Sequence, residues 1–90
     1  MPKVEKEITI ENELGLHARP AAQFVQVASK YQSEVHVIKD GERIDGKSIM
    51  GILTLEAHHG TVIMLEVEGG DADEALATLE LILEGKESHG

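Results

Sequence analysis

The chain is 90 residues long, carries 17 acidic against 8 basic side chains for a formal charge of −9, and has no cysteine. This length supports one modest hydrophobic core, and the missing thiols exclude disulfides, thiol catalysis and thiolate metal sites. The acidity, with Phe24 and Tyr31 as the only aromatic residues, excludes a general nucleic-acid binder, which depends on cationic and stacking side chains. The opening MPKVEKEITI is charged and lacks the apolar stretch of a signal peptide, and no run approaches the ~20 apolar residues of a membrane span. The expectation is a soluble, cytoplasmic, monomeric protein of one domain, with no membrane insertion and no nucleic-acid partner.

Residues 4–10 alternate, with Val4, Ile8 and Ile10 on one parity, Glu5, Glu7 and Thr9 on the other, and Lys6 breaking the apolar side. A period of two with β-branched residues predicts a half-buried strand. From Ala18 to about Lys30 the period becomes helical, because Ala21, Phe24, Val25, Ala28 and Tyr31 form one stripe. Residues 34–39 alternate again and end in Asp40-Gly41, the signal for a tight hairpin returning through Glu42 to Ile44. Ser48 stands as an N-cap before Ile49, Ile52 and Leu53 and predicts a short helix. Gly51 weakens that helix by about 1 kcal/mol relative to alanine.

His58-His59-Gly60 reads as a turn, and Thr61 to Glu68 as a strand with Ile63, Leu65 and Val67 on one face. Asp71 and Glu74 have capping-box spacing at the start of a last helix, whose buried stripe is Ala72, Ala75, Leu76, Leu79, Ile82 and Leu83. Gly85 ends it and a frayed tail, 86–90, follows. The order β-α-β-β-α-β-α predicts an α+β fold, one four-stranded sheet with helices on one face.

One stretch carries candidate chemistry. In Gly15-Leu16-His17-Ala18-Arg19-Pro20, the proline suits the first turn of a helix, where amides have no intrahelical partner. His17 then falls at or just before a helix N-terminus, where free amides and the macrodipole favour an anion. Arg19 adds a cation able to fork onto a phosphate. A nucleophilic nitrogen beside such a helix end suits the holding of a phosphoryl group. The apolar residues Ile49, Met50 and Leu53 are numerous for so short a helix, and exposure of some of them predicts a partner surface.

Together, Gly15-Leu16-His17-Ala18-Arg19-Pro20-Ala21 and Lys47-Ser48-Ile49-Met50-Gly51 resemble the HPr phosphocarriers of the bacterial phosphoenolpyruvate-dependent sugar phosphotransferase system. The resemblance runs from about residue 4 to residue 84. It implies an HPr-like open-faced β-sandwich with antiparallel strand order 1-4-2-3 and three helices on one face. It implies that His17 accepts a phosphoryl group from phosphorylated enzyme I through Nδ1 and passes it to a histidine of an EIIA-type domain. Arg19 would stabilise the phosphate, so that the chain is a covalently phosphorylated carrier rather than an enzyme.

The resemblance also implies a regulatory phosphoserine at Ser48, written by an ATP-dependent HPr kinase/phosphorylase. Docking would involve Leu16, Pro20, Lys47, Ile49, Met50 and Leu53, with the patch beside Ser48 packing around the His17 loop. No cofactor or metal is implied. One departure falls at Gly51, where many members carry a basic residue.

Each motif has a plainer reading. A lone histidine at a loop–helix junction is usually structural, and it is the flanking glycine, arginine and proline that reverse this for His17. Ser48 serves as a cap whether or not it is phosphorylated. His58-His59 lacks nearby third ligands and reads as a polar turn rather than a metal site. Two functions from different classes follow: a phosphocarrier turning over through His17, or a regulatory module that docks to another protein, such as a transcriptional regulator, without carrier flux. Within the first, a sugar branch and a nitrogen-regulatory branch both remain open.

Overall fold

The structure is a computed structural model and describes residues 2–86. Strand β1 (Lys3–Thr9) leads to helix α1 (Ala18–Ala28), the hairpin β2 (Glu34–Lys39) and β3 (Glu42–Asp45), helix α2 (Ile49–Thr54), strand β4 (Val62–Glu68) and helix α3 (Ala72–Leu83). The sheet is antiparallel throughout, in the order β1-β4-β2-β3. This is the element order that the alternation and helical periods predict, and the strand order that the resemblance implies.

Pairing register explains why the sheet is covered on one side only. Val4 and Val35 stand opposite Val67, Val37 lies opposite Leu65, and Ile8 opposite Ile63. All the residues of this row except Val4 are buried. The alternate positions Glu5, Glu7, Glu34 and Glu68 fall on the other face, which is left to solvent. Phe24, Ala21 and Ala28 of α1 and Ala75, Leu79, Ile82 and Leu83 of α3 close the core over the apolar face, and Ile52 joins them from α2. The alanines allow the helices to approach closely.

Lys6, which breaks the apolar alternation, sits at a core-side register position opposite Leu65. Its ammonium reaches Glu80 Oε2 on α3 at 2.6 Å, so its stem lies along the core rim while its charge stays in water. On the open face Glu66 is buried between its neighbours. It accepts from Arg43 at 2.5 Å and pairs with Lys3 at 3.3 Å. The Arg43 hydrogen bond, ahead of the Lys3 contact, holds the Glu66 carboxyl below the usual carboxylate range against the opposing effect of burial.

Two expectations at α3 need correction. Asp71 is the N-cap residue but makes no side-chain cap bond, so the capping box is not formed. The carboxylate turns instead to the chain after α1, accepting from the Gln32 and Ser33 amides at 2.9 and 3.0 Å and from the Ser33 hydroxyl. It thereby joins the exit of α1 to the start of α3, a task that local spacing does not reveal. At the other end, Gly85 N–H donates to the Ile82 carbonyl and Lys86 N–H to that of Leu81, a paired closure of the helix end. Lys86 therefore belongs to the helix terminus, and the rest of the expected frayed tail, 87–90, lies outside the described residues.

Asp71 is held below the usual carboxylate range, first by the Ser33 hydroxyl and then by the Gln32 amide. A depressed carboxylate contributes stability that is present above its unfolded value and lost as pH falls through the folded one. Asp71→Asn is expected to lower the urea midpoint at pH 7, and the gap to wild type should narrow as the pH falls below about 4. A gap that stays constant down to pH 2.5, the lower end of that titration range, would show that the Asp71 charge is not what joins the helices.

Candidate functional site

The loop between β1 and α1 is held from three sides. Ile10 N–H donates to the Thr61 carbonyl and Gly60 N–H to that of Ile10, both at 2.8 Å. The chain then turns, with Gly15 N–H on the Asn12 carbonyl at 2.9 Å and the Asn12 side-chain amide on the Ile82 carbonyl of α3 at 3.2 Å. Gly15 adopts φ +73°, and a Cβ there would stand 2.4 Å from the Ala57 oxygen and 2.8 Å from His58 Cα. Only glycine permits both that backbone conformation and that approach. Leu16 N–H then donates to the Ala57 carbonyl at 2.8 Å.

Leu16 is a correction to the expected docking surface. Its side chain is only 6% exposed and belongs to the core, where it acts as the apolar pin at the foot of the loop. His17 follows it into solvent. It is the N-cap residue of α1, in extended conformation (φ −90°, ψ −170°), and its imidazole makes no cap hydrogen bond. Its carbonyl accepts the first intrahelical bond, from Ala21 N–H at 2.9 Å. The ring is thus placed at the helix end without being used to close it.

Pro20, the third residue of α1, lacks an amide, so helix geometry leaves Ala18 and Arg19 N–H as the donors of the first turn. No acidic side chain occupies that turn, and nothing there offsets the partial positive charge of about half a unit at a helix start. Arg19 is exposed beside them. The arrangement is a solvent-facing imidazole at a helix start, with the exposed Arg19 two residues further on. Chemically it suits an anion covalently attached to the ring.

Ser48 forms the cap that its position predicts: its Oγ accepts from Gly51 N–H at 3.1 Å. A Cβ at Gly51 would fall 2.7 Å from Ile44 Cγ2, so a larger residue there needs the Ile44 side chain to shift. Ile49, Met50 and Leu53 are 37, 69 and 39% exposed, as expected of a partner surface. Leu14, which the sequence reading passed over, adds to the exposed apolar surface at 75%. Pro20 is half-buried.

Two contacts tie α2 and its flanks to the two ends of α1. Lys47 donates its ammonium to the Tyr31 carbonyl at 2.9 Å, which ties the start of α2 to the exit of α1. An 11-residue helix spans about 16 Å, and it is the exit of α2, through Ala57, that holds the His17 loop. The start of α2 thus contacts the exit of α1, and the chain after α2 contacts the loop before α1. Lys47 is half-buried and tethered rather than extended into solvent.

Two contributors escaped the sequence reading. Lys39, at the end of β2, donates to the Leu55 and Glu56 carbonyls at 2.8 and 3.3 Å, capping the exit of α2. Glu56 itself takes φ +51°, a left-handed conformation that costs roughly 1–2 kcal/mol for a residue with a Cβ. Neither leaves a local signal, since Lys39 reads as a solvated strand end beside a turn. His58 and His59 are exposed. Among the described residues no group of three or more His, Asp or Glu side chains is placed to hold a metal ion.

Comparison with known proteins gives a consistent answer. Residues 4–85 match the family model for the PTS HPr component phosphorylation site. The phosphocarrier protein HPr of Neisseria meningitidis is 48% identical over 82 residues, 91% of this chain and 92% of that one. The HPr-like protein Crh of Halalkalibacterium halodurans is 43% identical over 81 residues, covering 90% of this chain and 96% of its own. The crystal structure of a phosphocarrier protein HPr from Bacillus anthracis superposes with a TM-score of 0.87 at 41% identity, over 90% of this chain and 96% of that one.

Proposed function

The chain belongs to the HPr family of phosphotransferase-system phosphocarriers, and from that premise we propose that His17 is the residue that carries the phosphoryl group. The observation that supports this most is the placement of an exposed imidazole at the N-cap of α1 with no cap hydrogen bond of its own. Nδ1 attacks the phosphorus of phosphorylated enzyme I. The donor's bond to phosphorus breaks as the N–P bond forms, and the electron pair stays with the donor. The Ala18 and Arg19 amides and the Arg19 guanidinium take up the charge of the transferred group. The reverse sequence of bonds passes the group to a histidine of an EIIA-type domain, in a relay serving sugar uptake.

Positioning and charge stabilisation dominate phosphoryl transfer, and a carrier supplies only half of them. The other half comes from the protein that docks. Ile49, Met50 and Leu53 form the apolar contact surface, with Pro20 beside the site. Leu16 acts from below by fixing the loop, and Lys47 by fixing the start of α2.

Ser48 is the second, regulatory position. Its Oγ accepts a phosphoryl group from ATP in the active site of an HPr kinase/phosphorylase, with ADP leaving and the hydroxyl proton lost. The added charge of about −2 suits the start of α2. It also places a dianion beside three exposed apolar side chains and so alters the surface that meets enzyme I and EIIA-type domains. The same modification supports the alternative role, a docking module read by a transcriptional regulator.

Incubation with phosphoenolpyruvate and enzyme I is expected to add one acid-labile phosphate by mass, and His17→Ala to abolish it. Arg19→Ala should slow transfer by about 10²-fold, the scale of losing one transition-state donor, with little change in the thermal midpoint. Retention of the phosphate in His17→Ala would refute the assignment, and equal losses of rate and stability would make Arg19 structural. For the serine, ATP and an HPr kinase should yield an acid-stable phosphate that Ser48→Ala removes. An unmodified wild type would eliminate the regulatory role.

A further inference from the structure

The exit of α2 is held by a lysine from the end of β2. We propose that Lys39 is a positioning residue for the phosphoryl-carrying site: its ammonium clamps the Leu55 and Glu56 carbonyls and thereby fixes the Ala57 carbonyl on which the His17 loop hangs. The inference rests on the reading of His17 as the phosphoryl acceptor.

The contacts form a short series. Lys39 Nζ donates to the Leu55 oxygen at 2.8 Å and to the Glu56 oxygen at 3.3 Å. Leu55 is the C-cap of a helix of only six residues and Glu56 is the first residue beyond it, so the cation satisfies one carbonyl that the helix leaves without a partner and one in the turn that follows. Glu56 is meanwhile in the left-handed region at φ +51°, which a residue with a side chain occupies only when its surroundings impose it. Ala57 comes next and is buried at 3% exposure. Its carbonyl receives Leu16 N–H at 2.8 Å and faces Gly15 at a distance no Cβ could share. His17 directly follows Leu16 in the chain.

Removal of the ammonium frees the C-cap carbonyl of Leu55 and the turn carbonyl of Glu56, and releases the restraint on Glu56. Glu56 can then return to an ordinary backbone conformation, and Ala57 moves with it. The first turn of α1 would lose its fixed relation to the ring of His17. A displacement of that kind affects the rate of transfer more than the affinity of docking, because misplacement of about 1 Å is felt at the reacting atoms.

Lys39→Met keeps the alkyl stem and removes the charge, Lys39→Arg keeps the charge, and Glu56→Gly removes the left-handed penalty. With phosphoenolpyruvate and enzyme I, Lys39→Met is expected to lower kcat for phosphorylation about tenfold while KM stays within about twofold. Its Leu16 amide should exchange with solvent about tenfold faster, with the Val37 and Leu65 amides unchanged. Lys39→Arg should behave as wild type. The Lys39→Met/Glu56→Gly double variant should recover both kcat and Leu16 protection, because glycine holds the turn without a clamp.

Wild-type kcat and Leu16 exchange in Lys39→Met would overturn the proposal. So would uniform acceleration of all three amides, which marks a global loss of stability, or failure of Glu56→Gly to rescue. A wild type that takes up no phosphate would refute the assignment of His17 instead, and the exchange of Leu16 would still decide whether Lys39 fixes the loop.

Discussion

The hydrogen bond from Leu16 N–H to the Ala57 carbonyl is where the sheet, the loop and two helices meet. It joins the chain leaving β1 to the chain leaving α2, two segments about 40 residues apart in sequence that no local preference brings together. Its geometry demands a glycine at position 15, because the two backbones approach too closely for any Cβ. It also demands a buried side chain at position 16, because the loop needs an anchor in the core before it can release His17 to solvent. Where this bond lies, α1 begins. The start of α1 in turn sets the direction of the amides of its first turn.

The rest of the fold keeps that point still. The strands bury one face and leave the other to glutamates, so the helices can be placed only on the apolar side. At the end remote from His17, Asp71 closes the exit of α1 against the start of α3 through three hydrogen bonds. Lys47 ties the same region of α1 to the start of α2. The long helix beneath His17 is thus fixed at both ends by polar contacts and along its length by Ala21, Phe24 and Ala28. The exposed ring is supported from below by these contacts and is itself open to solvent.

The strands and helices were legible because each has a period that burial enforces. Val35, Val37, Ile63, Leu65 and Val67 alternate in the sequence and are buried in the structure, and the Asp40-Gly41 turn has positive φ at both residues. The start of α1 was legible from proline spacing, and the cap at Ser48 from residue type. What escaped depends on partners distant in the chain. Leu16 looks like any apolar residue beside a motif until Ala57 is seen to hold it. Asp71 has the spacing of a capping box, yet two amides and a hydroxyl from the end of α1 compete for its carboxylate and win. Lys39 and Glu56 gave no signal, because a cation at a strand end and an acid after a helix are ordinary until the fold joins them.

The central claim is that the amides at the start of α1 receive the phosphoryl group carried by His17. It is tested most directly by nitrogen-15 NMR of the protein before and after phosphorylation by enzyme I. Phosphorylation should move the His17 Nδ1 resonance and shift the Ala18 and Arg19 amides downfield, as donors do when they gain an anionic acceptor. The amides of β2 and β4 should stay in place. A phosphorylated protein whose Ala18 and Arg19 amides do not move, or whose phosphate resides on any residue other than His17, would contradict the account.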